Sequence, residues 1–150
     1  QKSVELGVFE VIPVAVKRCV VKLDEKKAAA KVNRWQGIAE AAAKQCKRGI
    51  VPVVREPMSM KEAVAYAHGM DVKLIPYELA DDMAHTKKII EAIRPGESVA
   101  VFIGPEGGFE ESEAAEALEA GIAAVTLGKR ILRTETAGLV VLSWLMYHLE

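Results

Sequence analysis

The sequence predicts an α/β fold with a mostly parallel sheet flanked by helices. Three observations carry that prediction. Short apolar runs of strand length recur at residues 8–13, 50–54, 72–76, 99–103 and 123–127. Helical patterns lie between most of them, so strand and helix alternate to the end of the chain. Aromatic residues make up 5% while alanine is plentiful, which favours helices packed on a sheet over a β-sandwich.

Residues 8–13 read as the first buried strand. From residue 28 to 48, Ala28, Val32, Trp35, Ala39, Ala42 and Cys46 recur at spacings of three and four, a single apolar stripe along a helix. At about 100° per residue, Lys27, Lys31, Arg34 and Arg48 fall on another face, so this helix can bury one side and offer cations on the other. Residues 50–54 form the second strand. The run "SMKE", residues 59–62, matches a capping box that opens the next helix, and Gly69 is its candidate C-cap. The third strand is 72–76. "AIRPGE" closes the following helix ahead of the fourth strand, 99–103. Gly121 ends a glutamate-rich helix before the fifth strand, 123–127. The last helix, "AGLVVLSWLMYHLE", is apolar on nearly every side. A surface helix shows a polar face, so this one is expected to be covered twice, by the sheet and by a second subunit.

At 150 residues the chain is most simply one domain. Cys19 and Cys46 form no CxxC pair and no disulfide framework, which points to a reducing cytoplasm. The apolar run 138–149 is too short, and with Ser143 and His148 too polar, to span a bilayer. The chain opens without methionine in a helical pattern, as a fragment of something longer would. Between Lys17 and Arg48 there are ten basic against three acidic residues, whereas 106–119 holds six glutamates and no base. That asymmetry suggests an anionic partner at one surface, with solvated helix faces as the bland alternative for the acidic run.

In an open parallel sheet, ligands sit at the carboxyl ends of strands. Three loops qualify: "PYELAD" from Pro76, "GPEGGF" from Gly104 and "LGKRILRTETAG" from Leu127. Glycine-rich turns between strand and helix usually cradle phosphates. Here Glu106 stands inside the turn, and Glu110, Glu111 and Glu113 follow. The loop lacks the Lys-Ser/Thr of a P-loop, the GxGxxG spacing and the later acidic residue of a dinucleotide site, so a phosphate-rich ligand is disfavoured. His68, His85 and His148 are scattered, no HExxH occurs and no nucleophile elbow is present, so no metal site is expected. What remains is a neutral or cationic ligand held by backbone groups. S-adenosylmethionine fits, with a positive sulfonium, no phosphate and an adenine edge that main chain can bond.

"FIGPEGGFEESE" together with "VTLGKRILRTETAGLVVLSWLMY" resembles the second and third motifs of the SPOUT methyltransferases, and more narrowly the ribosomal RNA small subunit methyltransferase E family. "ELGVFEVIPV", "KRCVVK" and "RWQGIAEAAAKQCKRGIVPVV" are similar to that family too, so the resemblance covers nearly all of 1–150, read as one methyltransferase domain. It implies a C-terminal trefoil knot, which topology rules would argue against. It also implies a homodimer through the knotted region, S-adenosylmethionine as cofactor, and methylation of a uridine N3 in small-subunit (16S) ribosomal RNA. No membrane is implied. Two departures stand out: the family's N-terminal barrel-like RNA-binding domain is expected to be absent, and Val16 replaces a common threonine beside Arg18.

By the same resemblance the three loops form the cofactor pocket. The matching positions are Tyr77 and Glu78, then Ile103, Gly104, Pro105, Glu106, Gly107 and Gly108, then Leu127, Gly128, Ile131, Leu132, Thr134 and Ala137. Uracil N3 keeps its proton at neutral pH, so transfer to it needs deprotonation or stabilisation of the anion. Arg133 is the catalytic candidate, as a fixed cation beside developing charge on the uracil oxygens; an ion pair with Glu135 or a phosphate anchor are its alternatives. Glu106 is a base or fixes its loop by accepting backbone N–H groups. Glu78 orients the methionine amino group or caps the next helix. Arg18, Lys22, Lys27, Lys31 and Arg34 are candidates for RNA phosphates. Two alternatives stand beside the enzyme: a non-catalytic RNA-binding or ribosome-assembly module, and a related knotted methyltransferase with another RNA target.

Overall fold

The computed structural model describes residues 1–18, 25–80 and 82–150. Lys22, a candidate RNA contact, and Asp81 of the first loop lie outside the described residues. In chain order the elements are α1 (Lys2–Glu5), β1 (Glu10–Val11), β2 (Val14–Ala15), α2 (Glu25–Gln45), β3 (Val53–Val54), β4 (Met58–Ser59), α3 (Met60–Ala67), β5 (Val72–Pro76), α4 (Met83–Ala92), β6 (Val99–Val101), α5 (Glu111–Glu119), β7 (Ala123–Val125) and α6 (Thr134–Leu149). The α/β class and the parallel pairing expected from sequence are present: β1 pairs β3, β2 pairs β4, and β6-β5-β7 form a three-stranded sheet, all parallel.

The first strand differs from its expectation in an instructive way. Residues 8–13 divide into β1 and, beyond Pro13, β2, which pairs with β4 (Met58–Ser59), a segment the apolar pattern does not mark. Proline has no N–H to give a ladder; Pro13 instead accepts from the Met58 N–H at 2.9 Å, and that bond leads into the second pair. Residues 50–54 shorten to Val53–Val54 for the same reason, with Pro52 buried just ahead of them and Ile50 and Val51 exposed.

The central sheet is covered on both faces. Consecutive strand residues point to opposite sides, so Ile75 joins α3 and α5 residues such as Ala63 and Ala117 in one cluster. Leu74, fully buried, joins Ile90 of α4 and Val141 of α6 in another. Fully burying one such aliphatic side chain stabilises the fold by about 1.5–3 kcal/mol. A third cluster lies under α2, where Val32, Ala39 and Ala42 of the expected stripe are buried with Val4 of α1.

Helix ends follow local chemistry. The Ser59–Glu62 capping box forms: Glu62 accepts from the Ser59 N–H at 2.7 Å and Ser59 Oγ accepts from the Glu62 N–H at 3.3 Å. That pair holds the Glu62 carboxyl below the usual carboxylate range, chiefly through the Ser59 hydroxyl. The C-cap of α3 is His68 in right-handed geometry, one residue before the expected Gly69. Gly121, at φ +79°, takes the left-handed position after α5. Arg48 departs from the cationic face on which the helical wheel places it. Its guanidinium donates to the Val4, Gly7 and Val8 carbonyls, closing the open end of α1.

Candidate functional site

Parallel pairing brings the three loops to one edge. The register sets Leu74 beside Val101 and Pro76 beside Val125, so the carboxyl ends of β5, β6 and β7 lie together. Tyr77 N–H donates to the Val125 carbonyl at 3.1 Å, joining the first loop to the start of the third. The Thr134 hydroxyl donates to the Gly104 carbonyl at 3.0 Å, joining the end of the third loop to the second. At Gly138 the backbone of α6 comes close to Ile103, whose Cγ1 would lie 3.6 Å from an added Cβ.

The second loop is a tight turn, with the Gly108 N–H donating to the Pro105 carbonyl at 2.9 Å and Gly108 at φ +68°. Its glycines are not equivalent. A Cβ at Gly104 would stand 3.1 Å from the Phe109 ring, closer than a well-packed contact allows. At Gly107 it would meet the Arg18 stem at an ordinary 3.7 Å. Gly104→Ala is therefore expected to lower stability by about 1–3 kcal/mol, as other overpacked sites do. Gly107→Ala should stay within about 0.5 kcal/mol of the parent, as free surface positions do. Urea denaturation of the two variants checks this; equal midpoints would remove the Phe109 contact as a constraint.

Two basic residues grip this loop from the N-terminal segment. Arg18, one of the candidate RNA contacts, donates through Nη1 to the Gly107 carbonyl at 2.8 Å. Beside it the Lys17 ammonium lies 2.8 Å from a Glu110 oxygen and donates to the Ser112 hydroxyl. The pairing raises the Lys17 pKa and lowers that of Glu110, chiefly through their mutual hydrogen bond. For Glu110 the sign is that of a depressed carboxylate: the contribution is present above the unfolded pKa and is lost as pH falls through the lowered one. Glu113, buried at the first turn of α5, accepts from the Lys17 N–H at 2.9 Å and the Glu110 N–H at 3.0 Å. Part of the acidic run thus binds the N-terminal segment, while Glu111, Glu116 and Glu119 are exposed. Lys17 and Glu113 are structural contacts that charge counting does not single out; Glu110 and Glu113, three residues apart at a helix start, are the signal that was there to find.

The third loop is held at both ends and open in the middle. Gly128, at φ +105°, donates to the Thr126 hydroxyl. Among the described residues, the peptide groups of 129–132 make no hydrogen bond to protein. Backbone donors and acceptors demand partners, so this stretch is available to water or to a ligand edge. Ile131 is 97% exposed, Leu132 and Leu127 are half-buried, and Ala137 is buried in the first turn of α6.

The acidic and basic candidates take up positions that remove several structural alternatives. Helix α4 is capped by Asp82, whose Oδ1 accepts from the His85 N–H at 3.0 Å, so Glu78 is not its cap. That bond holds the Asp82 carboxyl below its ordinary range. Glu78 and Glu106 are exposed, and among the described residues neither carboxylate makes a hydrogen bond. Arg133 is exposed at the N-cap position of α6, and among the described residues it forms no ion pair with Glu135. Lys27 and Arg34 are exposed on α2, with Lys31 half-buried. No group of three or more His, Cys, Asp or Glu residues suited to a metal ion occurs among the described residues.

A family model described as "RNA methyltransferase domain" matches residues 1–146. The chain belongs to the RNA methyltransferase domain family. This methyltransferase domain is 38% identical over 153 aligned residues to ribosomal RNA small subunit methyltransferase E of Bacillus subtilis, covering 100% of the chain and 60% of that relative. It is 37% identical to the protein of the same name in Mesomycoplasma hyopneumoniae, covering 95% of the chain and 60% of that relative. Among solved structures it resembles ribosomal RNA small subunit methyltransferase E from Neisseria gonorrhoeae bound to S-adenosyl methionine. The TM-score is 0.80 and the identity 43%, over 95% of this chain and 57% of that one. The chain thus spans about three fifths of the length of these relatives.

Proposed function

We propose that this domain transfers the methyl group of S-adenosylmethionine to N3 of a uridine in small-subunit ribosomal RNA. The observation that carries the reading is the open backbone of 129–132, set on one sheet edge with the glycine turn and the two exposed carboxylates, Glu78 and Glu106. The residues fit this cofactor. Free peptide groups suit an adenine edge, and carboxylates suit a sulfonium or ammonium where they would repel phosphate. The names of the relatives support the substrate class.

When bound, S-adenosylmethionine supplies an electrophilic methyl group. The chain's own residues do the rest. The 104–108 turn and the 129–132 backbone hold the cofactor, and Glu78 takes its amino group. Arg133 stabilises the negative charge that develops on the uracil oxygens as N3 loses its proton. Glu106, exposed on a loop braced by Arg18 and by its own turn, would take that proton. Lys27, Lys31 and Arg34 hold RNA phosphates. The fold carries the family's trefoil knot, residues 1–150 form one methyltransferase domain without a resident metal, and the protein works in the cytoplasm; among the described residues no helix is long and apolar enough to cross a membrane.

Incubation with labelled donor and small-subunit RNA or particles, followed by nucleoside analysis, should yield labelled 3-methyluridine. Label in another nucleoside would indicate a different target, and cofactor binding without transfer would indicate an RNA-binding module. The protein is read as a homodimer through its C-terminal region. Tyr147 at 91% and Met146 at 36% exposure extend the apolar face of α6 beyond what the core covers. Sedimentation at micromolar concentration should give a dimer; a stable monomer would overturn this assignment.

A further inference from the structure

We propose that Thr86, in the first turn of α4 and outside all three loops, is a positioning residue for the third loop: its hydroxyl fixes the point at which the chain leaves the sheet. The side chain is 1% exposed. Its hydroxyl donates to the Asp82 carbonyl four residues back at 3.3 Å, a common habit of helical threonine. The second bond is not local. Thr86 Oγ1 accepts from the Thr126 N–H at 3.0 Å, across 40 residues of sequence.

That N–H stands at a decisive place. The ladder between β5 and β7 runs to Pro76 opposite Val125, and the Tyr77 N–H takes the Val125 carbonyl. One residue further the buried Thr126 N–H has no strand to pair with, and the Thr86 hydroxyl takes the place of the next strand. The relay continues, since the Thr126 hydroxyl accepts from the Gly128 N–H at 3.3 Å, and Gly128 turns the chain at φ +105° into 129–132. The methyl end of Met83, one turn before Thr86, would lie 3.9 Å from a Cβ at Gly128. The start of α4 and the exit from β7 are thus fastened together, and Asp82 caps that same helix end behind them. A buried hydroxyl making both of its bonds places the loop; without it a buried N–H is left unpaired and the exit must shift to reach water.

The inference rests on the reading of the third loop as part of the S-adenosylmethionine pocket, and the test separates the two. S-adenosylmethionine affinity is measured by calorimetry, and amide exchange at Thr126 and Gly128 by NMR, in the parent, Thr86→Val, Thr86→Ala and Thr86→Ser. Thr86→Val keeps the shape without the hydroxyl. Thr86→Ala, which a helix accepts readily, carries the test if the valine variant does not fold. Both are expected to weaken cofactor binding by about tenfold and to speed exchange at Thr126 while the Leu74 and Phe102 amides of the β5–β6 ladder stay protected. Thr86→Ser should restore both. In turnover, KM for the cofactor should rise more than kcat falls, which a general loss of stability would not produce. Parent-like affinity in folded Thr86→Ala would overturn the positioning role. If the parent itself fails to bind the cofactor, the functional reading falls, and the Thr126 exchange rate still decides whether Thr86 sets the loop.

Discussion

Arg133→Lys is expected to lower the methyl-transfer rate by about 10²- to 10³-fold, the scale of losing one donor aimed at a developing anion. Arg133 stands at the start of α6, exposed, one residue before the Thr134 side chain that ties this helix to Gly104. Its backbone is therefore held while its side chain points outward without an ion pair among the described residues. Lysine keeps the charge but lacks the planar fork that can span two oxygens of one base. Cofactor affinity should be unchanged, because the loop backbone binds the cofactor in this scheme. Single-turnover rate and RNA affinity, measured on the same variant, check the assignment. A full chemical rate with weakened RNA binding would make Arg133 a phosphate anchor and remove it from catalysis.

Reversing Lys27, Lys31 and Arg34 to glutamate should act on the other side of the mechanism. Each phosphate neutralised on a single strand contributes about 0.7 to the slope of log affinity against log salt. Three lost contacts should flatten that slope by about two and leave turnover at saturating RNA intact. None of the three belongs to the buried cluster under α2; Lys27 and Arg34 are exposed and Lys31 is half-buried, so a thermal melt of the variant first establishes that the fold is kept. Arg18 is deliberately left out, since its guanidinium is already committed to the Gly107 carbonyl. Binding titrations from low to moderate salt decide the point; an unchanged slope would move the RNA surface off this helix.

Much of this architecture was legible because it depends on local periodicity. The stripe of α2, the capping box at Ser59 and the strands expected at 72–76, 99–103 and 123–127 are each set within a few residues, and each appears within the span the pattern marks. The three loops were legible too, since parallel strands carry their ligand loops at one edge whatever the side chains are. The breaks within strands were harder. Pro13 and Pro52 sit inside apolar runs and look like strand, and the cost of their missing N–H appears only once a partner strand is placed beside them.

What the sequence determined by itself was the helices, the three strands of the central sheet, the buried stripes and the glycine turn, because these follow from spacing and residue chemistry alone. Tertiary structure decided which charged groups are committed and which are free. Arg48 closes α1, Arg18 braces the second loop and Glu113 holds the N-terminal segment, whereas Glu78, Glu106 and Arg133 face outward. Long side chains of the same sign look alike in a sequence. Their roles diverge when folding brings a carbonyl or a peptide N–H from 40 or more residues away to within 3 Å.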